Sequence, residues 1–327
     1  MRTYFYIFIF FVFLTSCAPS DELYSRQAFS MGVLNEVSII HKDPNRAELL
    51  LEESISILNN LDQKLSHYKS DSELSQLNKR AFQSPQKTTK EIFYLTQESK
   101  ELNRKTKGSF DISLLPLVKL WGFFDGEDNI PSQEEIDVVL ESVGMSHVAL
   151  NKASKEISFN RQNMEIEFGA IAKGYVCDEI VNYLKSEGVI SGLVNIGGTI
   201  FGFGKNINGE LWQVGIKHPR DSKKILKIIS LDNEAVSTSG DYENYFFMDG
   251  KRFGHILNPK TGYPIESDVS VAVSVVAPSG LLSDVLSTSI YVLGVEEGKE
   301  LLKQYKDISF SHSALLADGS IQSVWVE

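Results

Sequence analysis

Apolar positions recur along the chain with two different spacings. Leu51, Ile55, Leu58 and Leu65 lie three, four and seven residues apart, which is the spacing of one face of a helix. The preceding Asp43-Pro44 favours a helix start, with Asp as the cap and Pro in the first turn. Capping-box patterns, with Glu three residues after Thr88 and after Ser132, predict two further helices. Others are predicted over 173–187, 282–293 and 297–305.

Alternating or continuous apolar runs predict strands, most of them in the second half of the chain. A C-terminal hairpin is expected around Asp318-Gly319. The predicted strands are 33–40, 190–196, 212–217, 225–231, 270–276, 313–317 and 321–326. Helices and strands alternate irregularly, without short repeats or long linkers. We therefore expect one compact α+β unit over residues 29–327, with mixed sheets and packed helices.

The N-terminal segment has the pattern of a targeting sequence. Arg2 precedes an apolar run over residues 4–14, which is shorter than the roughly 20 residues that span a bilayer and is typical of a signal peptide. Leu14-Thr15-Ser16-Cys17 resembles a bacterial lipobox. Residues 1–17 are therefore predicted to be a lipoprotein signal peptide, with Cys17 lipidated, and residues 18–28 a polar tether. The alternative is an uncleaved membrane anchor; both place the rest of the chain outside the cytoplasm.

Charge and cysteine content exclude some classes of partner and of covalent cross-link. Among the 327 residues, 43 Asp and Glu outnumber 32 Lys and Arg, and the net charge of −11 argues against nucleic acid as the main partner. Once Cys17 is set aside, only Cys177 remains, so an intramolecular disulfide is excluded. Cys177 lies in a predicted helix and is interpreted as a buried apolar residue.

The polar stretch over residues 235–264 is the most informative part of the chain. Between strand-like runs it contains hydroxyl residues, Asp241, one His, and glycines that include Gly240, Gly254 and Gly262. Such pliable, hydrogen-bonding sequence suits the wrapping of a polar ligand, above all a phosphate ester. His255 has the chemistry of a general base, although a structural histidine in a strand is the alternative.

Two other segments carry candidate chemistry. Asp284 and Thr288 are four residues apart on a predicted helix, so a carboxylate and a hydroxyl share one face and suit Mg²⁺; a helix cap and a surface hydroxyl are the alternative. Residues 167–175 predict a strand that ends in a turn before a helix. A carbonyl from this turn would be a third metal ligand, and Lys173 would meet a phosphate; a tight turn with a solvated lysine is the alternative.

Taken together, these segments resemble the ApbE family of FAD:protein FMN transferases. The motifs occur in the family's order over almost the whole mature chain, and their combination is far more specific than any single block. The blocks are Met31-Gly32; Ser66-His67-Tyr68; Ser72-Glu73-Leu74 with Leu77-Asn78; Gly108-Ser109-Phe110-Asp111-Ile112; Pro116-Leu117-Val118; Trp121-Gly122-Phe123; Gly169 to Asp178; Val194-Asn195-Ile196-Gly197-Gly198; Thr238-Ser239-Gly240-Asp241-Tyr242; His255-Ile256 with Pro259 and Thr261-Gly262; and Asp284 with Thr288.

The resemblance implies an Mg²⁺-dependent enzyme that cleaves the pyrophosphate of FAD, attaches FMN to a threonine of a partner protein and releases AMP. It implies an FAD cleft between lobes, with the metal at its pyrophosphate end. The partner would be the acceptor protein of a membrane redox complex. The enzyme itself would be a lipid-anchored bacterial protein that faces the periplasm or the outer surface.

The resemblance also assigns residues. It implies FAD contacts at Met31, Tyr68, Ser109, Phe110, Asp111, Glu167, Lys173, His255 and Ile256. It implies metal ligands at Asp284, Thr288 and the carbonyl of Ala170, and His255 is the candidate base, so that His255 and Asp284 are the expected catalytic pair. Val33, Glu167 and Ser283 depart from the family's usual Thr, Asp and Ala. The sequence leaves open an Mg²⁺-dependent FAD pyrophosphatase that yields FMN and AMP, and a lipoprotein that only binds flavin.

Overall fold

The computed structural model describes residues 20–124 and 126–326. Short 3-10 helices at Ile112–Leu114 and Met145–His147 supplement its α-helices and strands. The α-helices are Pro44–Leu65 (α1), Glu73–Arg80 (α2), Lys90–Lys105 (α3), Leu115–Leu120 (α4), Gln133–Leu140 (α5), Ala172–Ser186 (α6), Gly280–Leu293 (α7) and Val295–Leu302 (α8). The strands are Glu22–Ser30 (β1), Val33–His41 (β2), Gln86–Lys87 (β3), Val148–Asn151 (β4), Glu156–Phe159 (β5), Gly192–Ile196 (β6), Thr199–Phe203 (β7), Trp212–His218 (β8), Asp221–Leu231 (β9), Glu234–Gly240 (β10), Tyr245–Met248 (β11), Lys251–Gly254 (β12), Ala272–Ala277 (β13), Ser309–Leu315 (β14) and Ile321–Val326 (β15).

An eight-stranded sheet forms the centre of the fold, in the order β1-β2-β6-β7-β10-β13-β14-β15. Each neighbouring pair in it is antiparallel. Smaller sheets are formed by β3-β5-β4, by β8-β9 and by β11-β12. Antiparallel sheets packed with helices confirm the α+β prediction, and the predicted C-terminal hairpin is β14-β15.

The predicted polar tether over residues 18–28 is wrong from Glu22 onward. These residues form β1, which pairs with β2 along its whole length. Tyr24, Arg26 and Ala28 face inward and are half-buried, while their neighbours are exposed. Because only two of the inward positions are apolar, the alternation that marks a strand is weak in the sequence.

Of the two predicted capping boxes, one is confirmed and one is wrong. At α5, the Ser132 hydroxyl accepts from the Glu135 amide, and the Glu135 carboxylate accepts from the Ser132 amide at 2.8 Å. At α3, the cap is Thr89 rather than Thr88, because pairing of β3 with β5 brings the Thr88 amide 3.0 Å from the Lys155 carbonyl. The Thr89 amide donates to Glu73 instead of Glu91.

Buried apolar side chains form several clusters. The largest joins α1, α3, α6 and the inner face of β2, β6 and β7; it contains Cys177, which is fully buried, as expected. A second cluster lies under α7 and α8, and a third surrounds Trp121. Within residues 20–124 and 126–326, no helix is both long and apolar enough to cross a membrane. Cys17 and the predicted signal peptide lie outside the described residues.

Candidate active site

A cavity of about 500 Å³ opens where these three clusters meet. Its walls come from the β1-β2 turn, the segment after α1, the start of α6, the end of β10 and one face of α7. The twelve residues that the resemblance assigns to FAD or metal all line it. They are Met31, Tyr68, Ser109, Phe110, Asp111, Glu167, Ala170, Lys173, His255, Ile256, Asp284 and Thr288.

The crossing of α6 over α7 fixes Asp284. A β-carbon at Gly174 would lie 2.2 Å from the Gly280 carbonyl oxygen, so a larger residue cannot occupy this position without a backbone shift. The close approach lets the Gly174 amide donate to Asp284 Oδ2 at 3.0 Å, while the Ser237 hydroxyl donates to Oδ1 at 3.2 Å. Asp284 is 3% exposed, so both oxygens are held in one orientation by buried partners.

The oxygen donors around Asp284 fit a hard divalent cation. Thr288 lies one turn later on α7, with its hydroxyl 3.0 Å from that of Ser239. Ala170 precedes the N-cap of α6, Ile171, and lines the same cavity, so its carbonyl lies outside the hydrogen-bond ladder of the helix. One carboxylate, one hydroxyl and one carbonyl suit Mg²⁺. In the described part of the chain, no three His, Cys, Asp or Glu side chains cluster as a metal site, so a cation here would depend on such mixed ligands.

His255 follows β12 and lines the cavity. Its amide donates to the Asn244 carbonyl at 3.1 Å, and its Nδ1 lies 3.0 Å from the same oxygen. Because a carbonyl only accepts, Nδ1 carries the proton and Nε2 keeps a free lone pair. Burial, and to a smaller extent the charge of Lys173, lowers the pKa of His255 to about 4. The imidazole is therefore neutral at neutral pH.

Acidic side chains outnumber basic ones in this cavity. Among its described lining residues, Lys173 is the one Lys or Arg, and four carboxylates face it from Asp111, Glu167, Glu243 and Asp284. Lys173 donates to the Gly169 carbonyl at 2.8 Å. Burial raises the pKa of Asp111, Glu167 and Glu243. A dianionic ligand would meet strong repulsion here unless a cation accompanied it.

Aromatic rings form the opposite wall. Tyr68 is 61% exposed, and its ring stacks on Phe124 at 5.1 Å between centroids. His67 packs against Tyr68 at 4.1 Å, and burial lowers its pKa to about 4. Phe110 is buried beneath the cavity floor. Such a wall offers a stacking surface for a planar ring.

Several lining residues have no role in the sequence prediction. His67, Ser239, Glu243 and Asn244 all line the cavity. His67 and Ser239 lie within family motifs, and Glu243 follows the Asp-Tyr pair directly. Only the fold shows that Asn244 meets His255, because the β11-β12 hairpin between them brings its two ends together.

Comparison with known proteins agrees with this geometry. A family model described as the ApbE family matches residues 31–310. The FAD:protein FMN transferase of Escherichia coli (strain K12) is 33% identical over 280 residues, which cover 84% of this chain and 80% of that protein. The FAD:protein FMN transferase of Treponema pallidum (strain Nichols) is 31% identical over 301 residues, which cover 87% of this chain and 83% of that protein.

Solved structures of similar proteins share the fold. The apo form of the flavinyl transferase ApbE from Pseudomonas stutzeri has a TM-score of 0.83 and 32% identity, with 94% of this chain and 95% of that chain covered. The flavin transferase ApbE from Vibrio cholerae has a TM-score of 0.84 and 29% identity, with 94% of this chain and 98% of that chain covered. With sequence motifs, family model and fold in agreement, the chain belongs to the ApbE family.

Proposed function

We propose that this protein transfers FMN from FAD to a threonine hydroxyl of a partner protein, with Mg²⁺ as cofactor and AMP as the released product. One observation carries the proposal: a neutral histidine with a free Nε2 shares a cavity with the oxygen donors of Asp284, Thr288 and Ala170. The names of the relatives, FAD:protein FMN transferase, agree with it.

The charge of the cavity supports the requirement for a cation. A pyrophosphate brings two negative charges into a site where four carboxylates face one lysine. Bound by Asp284, Thr288 and the Ala170 carbonyl, Mg²⁺ would offset the pyrophosphate charge and stabilise the departing phosphate. Lys173, held at the N-terminal turn of α6, supplies a further positive charge on the same side.

Side chains of the protein would accept the proton of the acceptor hydroxyl and orient the reactants. His255 Nε2 takes the proton of the acceptor hydroxyl as its oxygen forms a bond to the FMN phosphorus. The bond between that phosphorus and the bridging oxygen breaks, and AMP leaves with the electron pair. The Asn244 carbonyl keeps the Nδ1 proton in place, and the Tyr68 wall holds the planar ring system.

The location and partner are also proposals. The lipobox pattern at Cys17 supports a lipid anchor that holds the enzyme at a bacterial membrane, facing the periplasm or outer surface. An acceptor protein of a membrane redox complex would then lie within reach of the cavity. Mass spectrometry of the mature chain tests the anchor, since a diacylated or triacylated Cys17 is expected as its first residue.

The enzymatic proposal is tested with the soluble chain lacking residues 1–17. We would incubate it with FAD, Mg²⁺ and a candidate acceptor domain, and measure acceptor mass and in-gel flavin fluorescence. A mass gain equal to FMN is expected, and it should disappear when the acceptor threonine is replaced by alanine. Release of FMN and AMP without a mass gain would indicate a pyrophosphatase instead. FAD that stays bound and intact with several acceptors would indicate a binding protein.

A further inference from the structure

The turn between β1 and β2 is strained at a cavity residue. It consists of Met31 and Gly32 alone, with φ values of +54° and +74°. Glycine adopts this left-handed region freely, whereas a methionine side chain disfavours it. Met31 is also the residue of this turn that is expected to contact FAD, and backbone strain of this kind persists only where the surroundings impose it.

The side chain of Asn35 holds the turn in this conformation through hydrogen bonds to the residues around it. Its side-chain amide lies within hydrogen-bond distance of three carbonyl oxygens, those of Ala28 at 3.3 Å, Ser30 at 3.0 Å and Val33 at 3.0 Å. These carbonyls flank Met31 on both sides of the turn. Asn35 is fully buried, so no water competes for its amide.

The same side chain also has a destabilising feature, an unpaired polar atom, for which packing gives no reason. The Asn35 Oδ1 atom is buried and has no hydrogen-bond partner among the described residues. A buried acceptor without a partner destabilises the folded state, and an apolar residue of similar size would avoid this. An amide at this position is therefore explained by its donors, which hold the three carbonyls together.

Asp62 provides a second anchor for the same turn. The hydroxyl of Ser30, directly before Met31, donates to Asp62 Oδ2 at 3.1 Å. Lys69, directly after Tyr68, donates to the same oxygen at 2.8 Å. One carboxylate in the last turn of α1 thus links the segments that carry Met31 and Tyr68.

We infer that Asn35 is a positioning residue for FAD binding, which acts by holding Met31 in its strained conformation against the cavity. The inference rests on the proposed function, since it takes FAD as the ligand. It predicts that the contribution of Asn35 to FAD affinity passes through Met31. The side chain itself touches β1, β2 and the turn but does not line the cavity.

A double-mutant cycle tests the inference. FAD dissociation constants would be measured by flavin fluorescence, without acceptor, for Asn35→Leu, Met31→Ala and the double variant. Each single change is expected to weaken FAD binding about tenfold, and the double variant no further, because the two residues act as one unit. Asn206→Leu is the matched control: Asn206 also organises a turn, by accepting from the Asn208 and Glu210 amides, but lies away from the cavity. Its FAD affinity should equal that of the wild type.

Thermal unfolding of each variant separates loss of binding from loss of fold. If Asn35→Leu does not fold, Asn35→Ser, which keeps one donor, is measured in its place and judged in the same way. A folded Asn35 variant that binds FAD as tightly as the wild type overturns the inference, and so does a double variant whose loss is the product of the two single losses. A wild-type protein that does not bind FAD overturns the proposed function as well.

Discussion

Two concave surfaces share the helices α6 and α7 but differ in chemistry. The first is the cavity of about 500 Å³, which takes Lys173 from the start of α6 and Asp284 and Thr288 from α7. The second, which we call the groove, has a volume of about 810 Å³ and lies between α3, α6 and α7. Tyr94, Tyr175, Asp178 and Lys185 are among its lining residues.

The groove is larger, and two of the charged residues that line it, Asp178 and Lys185, have structural partners. Asp178 accepts from the Gly280 amide at 2.6 Å and the Leu281 amide at 2.9 Å, so it caps the N-terminus of α7. The Lys185 ammonium lies 5.1 Å and 5.2 Å from the ring centroids of Phe201 and Phe203. The charged groups of the cavity also have partners, such as Gly174 and Ser237 for Asp284, but there Asp284, Thr288 and His255 line one common space. Convergent chemistry, rather than volume, therefore distinguishes the reactive surface.

The largest expected effect is that of Asp284→Asn on the cavity side. Transfer of FMN should fall by about a thousandfold, because loss of the proposed metal ligand would remove several kcal/mol of charge stabilisation. Asparagine keeps an oxygen for the Gly174 amide, so the fold should survive. Acceptor mass and FAD binding would be measured together, with Glu179→Gln on the groove side of α6 as the control. Transfer above a tenth of the wild-type rate would exclude Asp284 as an essential ligand.

His255→Gln should have the next largest effect, a loss of transfer of about a hundredfold or more, as expected for removal of a general base. Glutamine retains a polar side chain, so FAD affinity should change little and kcat should carry the loss. His147→Gln, a histidine that does not line the cavity, is the control. If the rate of transfer fell equally in both variants, or in neither, His255 would not be the general base.

Much of this arrangement is predictable from the sequence, and the exceptions have physical reasons. The capping box of α5 and the edges of β2 were predictable because local hydrogen bonds and apolar spacing determine them. The β1 strand was not, because its turn uses Met31, which lacks the Asn-Gly or Asp-Gly signal of a two-residue hairpin.

The candidate site shows the same division. The family motifs contain eleven of the twelve assigned residues, and Glu167 lies two residues before the block that begins at Gly169. The supporting contacts are not visible in the sequence: Asn35 reaches the turn, Asp178 caps α7 and Asn244 meets His255 only after strands and helices pack. Contacts between elements far apart in the chain depend on the topology, which local patterns do not encode.

Asp178→Ala would break the contrast between cavity and groove, because a groove residue supports the helix that carries Asp284. Loss of the cap should lower the free energy of unfolding by about 1–2 kcal/mol. Transfer should fall by a smaller factor than in Asp284→Asn, because α7 keeps its packing on β10 and β13. Urea unfolding provides the measurement. An unchanged free energy of unfolding would show that the Asp178 contacts with Gly280 and Leu281 do not stabilise α7.

The pH dependence of stability sharpens the contrast further. The pKa of His255 is about 4 in the folded protein against an ordinary value of 6.5, so its contribution to stability is complete above pH 6.5 and is lost as the pH falls through about 4. Burial raises the pKa of Asp178 to about 6 from 3.8, so its contribution has the opposite sign: it is complete below pH 3.8 and is lost as the pH rises through about 6. The change in unfolding free energy is at most about 1.4 kcal/mol per pH unit for one proton.

Urea unfolding of the wild type and of His255→Gln at several pH values isolates the histidine. The wild type should lose more stability than the variant between pH 6.5 and 4, since only the wild type has this imidazole to protonate on unfolding. The pKa of His67 is lowered as well, but His67 is present in both proteins, so its effect cancels when their unfolding free energies are subtracted. Parallel curves for the two proteins would mean that His255 titrates normally.

The smallest expected effect is that of Lys185→Met in the groove. Methionine keeps the apolar stem against Phe201 and Phe203 and removes only the ammonium group. A cation–π contact at a partly exposed site contributes about 0.5–1 kcal/mol, so the free energy of unfolding should change by no more than this. FAD affinity and the rate of transfer should equal those of the wild type, because Lys185 is not among the residues that line the cavity. If this variant instead bound FAD several-fold more weakly, the groove would have to hold part of the ligand, and the division of roles between the two surfaces would fail.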